Sequence, residues 1–99
     1  MRLKVSQAVA EDLENIWLYT AEHWSVEQAD RYLGQLADVF EVIQNDPTTG
    51  KDCSELRKGY RRTKAGSHLI FFRLSDEADA MEIIRVLHER MGLEGRLGV

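Results

Sequence analysis

The sequence predicts an α+β fold of order β-α-α-β-β-β, a helical hairpin packed on a small, antiparallel-rich sheet. Three observations point to it. Residues 13–43 carry apolar side chains at three- and four-residue spacing, the period of helices with one buried face. A single start signal at Ser25 divides that stretch in two. The second half instead holds short β-branched and aliphatic runs, at 69–72 and 83–87, separated by turn residues, which is the signature of hairpin-connected strands.

The chain opens with a strand over residues 2–5, where Leu3 and Val5 alternate with Arg2 and Lys4. Ser6 is placed to cap a following helix, since its hydroxyl can accept from the unpaired amides of a first turn. Leu13, Ile16, Trp17, Thr20 and Trp24 mark the buried face of that helix. Ser25, with Gln28 three residues on, has the spacing of a capping box, so the first helix ends near Trp24 and a second begins. Its apolar stripe is Ala29, Tyr32, Leu33, Leu36, Val39, Phe40 and Ile43. The two together form a hairpin over 7–45. Pro47 stops the second helix, because the residue before a proline is pushed out of the α region. Residues 48–54 read as loop, turning at Gly50.

A three-stranded meander over 60–88 follows. Residues 60–64 form a basic strand, Ala65-Gly66 a tight turn, residues 67–74 a second strand, and residues 76–79 an acidic turn into a strand over 81–88. A short tail, 89–99, completes a single domain over 1–99. At 99 residues, with 43% hydrophobic and 30% charged content, the chain has room for one core and the balance of a globular protein.

The net charge of −4 conceals an asymmetry. Residues 1–50 hold nine acids against three bases, whereas residues 57–75 hold six bases (Arg57, Lys58, Arg61, Arg62, Lys64, Arg73) and no acid. The basic segment suits an acidic partner, or it protects a sheet edge, a common use of lysine and arginine. Cys53 is the only cysteine, which excludes an internal disulfide and a cysteine-built metal site. No metal or other cofactor is expected. The N-terminus lacks the apolar stretch of a signal peptide and no run approaches a membrane span, so the expected location is cytoplasmic.

One mismatch bears on function. A helical hairpin covers one face of such a sheet, yet Leu69, Ile70, Phe71 and Phe72 are apolar on both faces, as are Ile83, Ile84, Val86 and Leu87. Antiparallel sheets with a solvated face normally alternate. The tail folding back is one possible cover; a partner chain is the expected one, because so short a tail buries little apolar area.

His88, with Arg85 and Arg90, is the one candidate for acid–base chemistry. Cleavage of RNA by transphosphorylation needs a base, an acid and cations around the phosphorane. A histidine at a strand end making one structural hydrogen bond is the simpler reading. His23 and His68 read as isolated, and Trp17, Trp24, Phe40, Phe71 and Phe72 as core aromatics. Phosphate-binding glycine loops and nucleophile elbows are absent.

Residues 10–19 (AEDLENIWLY), 29–32 (ADRY), 46–50 (DPTTG), 56–61 (LRKGYR), 67–73 (SHLIFFR) and 84–88 (IRVLH) resemble, in this order and spacing, the ParE-type toxins of bacterial type II toxin–antitoxin modules. The resemblance covers residues 6–91. It departs at Gln7, where many relatives have proline, a favoured but dispensable residue in a first helical turn.

The resemblance implies the RelE/ParE fold and a ParD-type antitoxin with which the toxin forms a hetero-oligomer. It further implies that the free toxin inhibits DNA gyrase, trapping it on cleaved DNA and blocking replication. That makes it a protein-binding poison with no catalytic residues, no sequence-specific nucleic-acid binding of its own and no membrane partner. The alternatives are a RelE-like, ribosome-dependent mRNA interferase, or a non-catalytic module with another target. The expected target surface is the C-terminal part, His88, Arg90, Met91 and Leu97. The expected antitoxin surface is Phe71, Arg73, Arg85 and Leu87, rimmed by Arg61 and Arg62. Which face these residues share depends on register, since a one-residue slip turns every side chain over.

Overall fold

The computed structural model describes residues 2–76 and 79–90. Met91 and Leu97, both named as target contacts, lie outside them. The elements run β1 (Arg2–Val5), α1 (Gln7–His23), α2 (Val26–Asn45), β2 (Lys51–Asp52), β3 (Arg61–Ala65), β4 (His68–Leu74) and β5 (Ala80–His88). The sheet order is β1-β5-β4-β3-β2. β1 lies parallel to β5 and the remaining pairings are antiparallel, so the sheet is mixed, with two helices packed on it.

Both helix starts are set by serine. Ser6 Oγ accepts from the Val9 amide at 3.2 Å and Ser25 Oγ from the Gln28 amide at 3.0 Å. Only half of the expected capping box is formed, because the Gln28 side-chain oxygen accepts from Arg31 Nη1 instead. The hairpin is tied across by Trp17 Nε1, which donates to Asp30 Oδ1. Val9, Ile16, Leu36, Phe40 and Ile43 from the helices meet Ile70, Phe72, Met81, Ile83 and Val86 from the sheet in the main core.

Two local expectations are corrected. Residues 48–54 are not all loop: Lys51 and Asp52 pair with Arg62 and Arg61 as an edge strand. The β3–β4 turn is Gly66-Ser67, one residue later than read, because Ala65 still pairs with His68. Gly66 has φ of +59°, and a β-carbon there would lie 2.6 Å from the Tyr32 ring, so the position needs glycine on two counts. In the β4–β5 ladder the partner of Phe71 is Arg85 and that of Phe72 is Ile83. Ile84 is therefore an inserted residue, a β-bulge.

The second apolar face is also covered by the chain itself. Residues 53–60 cross it, and Cys53 and Tyr60 pack with Phe71 and Leu87 into a second core cluster, flanked by Leu56, Leu69 and Ile84. The segment is held as a compact loop, with the Cys53 amide donating to the Tyr60 carbonyl, Leu56 to Cys53 and Tyr60 to Arg57. A partner is not needed to bury Phe71. The two-residue β2 explains why, since it turns the chain back over the sheet where a longer loop was expected to run past it.

Candidate functional site

A groove of about 810 Å³ lies between the helical hairpin and the ends of β4 and β5. One wall is α1, which presents Asp12, Asn15, Ile16, Tyr19 and Thr20, positions three and four apart that fall on one helical stripe. Trp24 stands at the hairpin tip, Gln28 and Tyr32 come from α2, and Ser67, His68, Arg85, Leu87, His88 and Arg90 close the sheet side.

The sheet side is held by two polar knots. In the first, the Tyr32 hydroxyl accepts from the Ser67 amide at 3.0 Å and lies 2.6 Å from His68 Nδ1, with the Ala65 carbonyl a second acceptor at 3.2 Å. The hydroxyl thus joins α2 to both ends of the β3–β4 turn. Burial, reinforced by His88, pushes the His68 pKa below its ordinary value, and burial raises that of the Tyr32 phenol. His68 is not isolated, as read from the sequence: it pairs with His88 across the β4–β5 ladder, ring edge to face at 5.4 Å. His88 Nδ1 in turn accepts the Arg90 amide at 3.1 Å, which leaves Nε2 to carry the proton of the neutral ring.

A pH dependence follows. The unfolded chain binds a proton at His68 more readily than the folded one, so folding releases it and stability rises with pH. The contribution is complete above the unfolded histidine value, near 6.5, and declines as pH falls from there toward the depressed folded value. Urea midpoints measured from pH 8 to pH 5 are expected to fall through that window, and less steeply in His68→Gln.

The second knot is Asp12. The ladder between β1 and β5 ends at Val5 and Ile83. Beyond it, Asp12 Oδ2 accepts from the Val86 amide at 3.0 Å and from Arg85 Nε at 2.8 Å, while Oδ1 accepts from Arg85 Nη2 at 2.7 Å. A carboxylate from α1 thus takes over at the sheet edge where the strand stops. The hydrogen bonds to Asp12 raise the Arg85 pKa, so its charge is secured.

The groove rim is aromatic. Tyr19 and Trp24 are 57% and 70% exposed. The His23 ring stacks on Tyr19 at 3.9 Å and its Nδ1 donates to the Tyr19 carbonyl. Trp24, expected in the core, is on the surface, because α1 ends at His23 and the reversal carries the next residue off the buried stripe.

The sequence-predicted residues fall into three groups. His88 and Arg90, from the target set, line the groove together with Arg85 and Leu87 from the antitoxin set. Phe71 is fully buried beneath the 53–60 loop. Of the arginines expected at the antitoxin surface and its rim, Arg61 donates to the carbonyls of Thr48, Thr49 and Gly50, and Arg73 pairs with Glu82 at 3.3 Å. Arg62 remains half-exposed beside them. Among the described residues no three His, Cys, Asp or Glu side chains gather as a metal site, and no helix is long and apolar enough to cross a membrane.

Residues 3–93 match the family model described as ParE toxin of type II toxin–antitoxin system, parDE. The chain belongs to the ParE toxin family. It is 38% identical over 96 residues to Toxin ParE1 of Mycobacterium tuberculosis, covering 97% of both chains. It is 40% identical over 95 residues to Toxin ParE1 of Caulobacter vibrioides, covering 96% of both. Toxin ParE of Escherichia coli is more distant, at 31% over 86 residues, 87% of this chain and 82% of that one. Among solved structures, a chain of the chromosomal ParDE TA system from P. aeruginosa superposes with a TM-score of 0.77 at 19% identity, covering 89% of this chain and 95% of the other. At that identity the likeness concerns the fold, and it agrees with the ParE order of helices and strands.

Proposed function

We propose that this ParE-family toxin acts in the cytoplasm by binding DNA gyrase and holding it on cleaved DNA, and that a ParD-type antitoxin neutralises it. The observation that carries the reading is the near end-to-end similarity to two ParE1 toxins at 38% and 40% identity. The site agrees with action by binding. A ribonuclease needs cations free to follow charge onto a phosphorane, whereas Arg85 is locked in a bidentate pair with Asp12. His88, half-buried at the end of β5, and the exposed Arg90 after it are the proposed target contacts, with Met91 and Leu97 beyond them.

Plasmid supercoiling and cleavage assays with purified toxin and gyrase, run beside a translation extract scored for cut message, test this. Linear plasmid with intact message is the expected result. Cut message with unaffected gyrase would overturn it and recast His88 as a catalytic base.

A further inference from the structure

We propose that Tyr32 is a positioning residue for the target-binding end of the chain. Through the Gly66-Ser67 turn, its hydroxyl sets where the backbone leaves β5 and so how His88 and Arg90 are presented to gyrase. This rests on the gyrase reading above and adds the element that orients its contacts.

β5 ends at His88, which pairs with His68, the first residue of β4. Glu89 and Arg90 lie beyond that ladder, and the β3–β4 turn is what holds them. The Glu89 amide donates to the Ser67 carbonyl at 2.9 Å. The Glu89 carboxylate pairs with Lys64 Nζ, from the last turn-side residues of β3, at 2.9 Å. The Arg90 amide donates back to His88 Nδ1, which folds the backbone over its own strand end. On the opposite edge of β5, Asp12 takes the Val86 amide, two residues short of His88. The exit of the chain therefore depends on the turn.

A turn at the end of a sheet is a poor anchor unless it is itself held. This one is held from α2. The Tyr32 hydroxyl accepts from the Ser67 amide and meets the Ala65 carbonyl and His68 Nδ1 on either side of the turn. Ser67 is thus the junction, its amide bonded to α2 and its carbonyl to Glu89. A shift of the Ser67 backbone moves both. The turn also lies directly on the ring, because a β-carbon at Gly66 would fall 2.7 Å from the Tyr32 hydroxyl oxygen.

The hydroxyl is separable from the ring that carries it. The Tyr32 side chain packs against the main core, whereas the hydroxyl's partners all belong to the turn and the strand ends beside it. Removing the oxygen leaves the core contacts in place. Ser67 is exposed, so water can take over its amide and no buried donor is orphaned. The fold survives such a loss. What changes is the share of molecules in which the turn, and Glu89 with it, sits in the held position. A target that recognises one placement of Arg90 then binds more weakly in proportion to that share.

The test is amide exchange at Glu89 read beside gyrase poisoning, both on the full chain. Tyr32→Phe removes the hydroxyl, and thermal melts check that the variant folds. Its Glu89 amide is expected to exchange about tenfold faster, the equivalent of one hydrogen bond lost. Ile70 and Phe72 are expected to stay within about twofold of native. The toxin concentration giving half-maximal linear plasmid is expected to rise about fivefold with the plateau unchanged, since fewer molecules are competent but those bind as before. Gly66→Ala pushes on the same contact from the turn side and is expected to reproduce both effects. Native-like protection of Glu89 in Tyr32→Phe would overturn the proposal, and so would faster exchange with native potency. Equal acceleration at Ile70 and Phe72 would reduce Tyr32 to a stability role and overturn it as well. Growth arrest by induced toxin, at matched expression, keeps the two readings apart. Native toxin that arrests growth but leaves gyrase untouched refutes the gyrase reading alone. Positioning is then decided by growth arrest, which Tyr32→Phe is expected to weaken and which, if undiminished, overturns it.

Discussion

Phe71→Ala is expected to destabilise the isolated chain by about 3–4 kcal/mol, the cost of emptying a core phenylalanine site. The prediction separates two accounts of the second sheet face. If an antitoxin supplied the cover, Phe71 would be exposed in the free toxin and its truncation would change stability by less than about 0.5 kcal/mol, as for a typical surface substitution. In the structure Phe71 has no exposed surface and packs with Cys53, Tyr60 and Leu87. Phe72→Ala, on the helix side of the same strand, is therefore expected to cost a similar amount, because both faces of the sheet are cores of the free protein. Urea denaturation of the two variants without antitoxin decides it. Both midpoints should fall with little change in slope, since the native state remains as compact as before.

The same residue shows where sequence reasoning succeeds and where it stops. The doubly apolar run at 69–72 implies that both faces are covered, because burial demands it whatever the cover is. What covers the second face was not legible. Residues 53–60 are polar in outline (CSELRKGY), and their three apolar side chains follow neither helical nor strand period. Only the short β2–β3 pairing, Lys51 with Arg62 and Asp52 with Arg61, turns that stretch back over the sheet. Arg61 reinforces the turn by gathering three loop carbonyls. A basic cluster that suggested a docking rim is thus partly an internal clamp.

The groove was half legible. The sequence singled out His88 and Arg90 on the strength of their place after a hydrophobic strand, and both line it. His68 reads as isolated in the sequence, although a hairpin register brings it near the end of β5. Counting back from the 76–79 turn without a bulge pairs His68 with Leu87, on alternate faces from His88. The extra residue at Ile84 advances the register by one and sets the two imidazoles opposite each other. A bulge leaves no signature in a run as uniformly aliphatic as Ile83-Ile84, so the Tyr32–His68–His88 row could not be read in advance. Trp24 failed for another reason: its spacing continues the buried stripe of α1, but the helix ends one residue too early for the spacing to apply.

Asp12→Ala is expected to cost about 3 kcal/mol, more than an ordinary half-exposed carboxylate contributes. Its oxygens accept three hydrogen bonds, two from Arg85 and one from the Val86 backbone, and its side chain is 10% exposed. Truncation leaves an arginine without its carboxylate and a strand amide without an acceptor. Loss of one partner of a largely buried charged pair is costlier than the pair is stabilising. Asp12→Asn retains an acceptor oxygen but forfeits the charge and the bidentate fork, and should lose about half as much. The loss would not be evenly spread. β1 does not reach Val86, so Asp12 is what fixes the last turn of the sheet edge before His88 and Arg90. Amide hydrogen exchange is expected to speed up in Asp12→Asn at residues 85–90 well before it does at Ile70 or Phe72, whose burial is untouched. Uniform acceleration across the sheet would instead mean that Asp12 contributes only to global stability, and that the groove wall is held by the Tyr32–His68 knot alone.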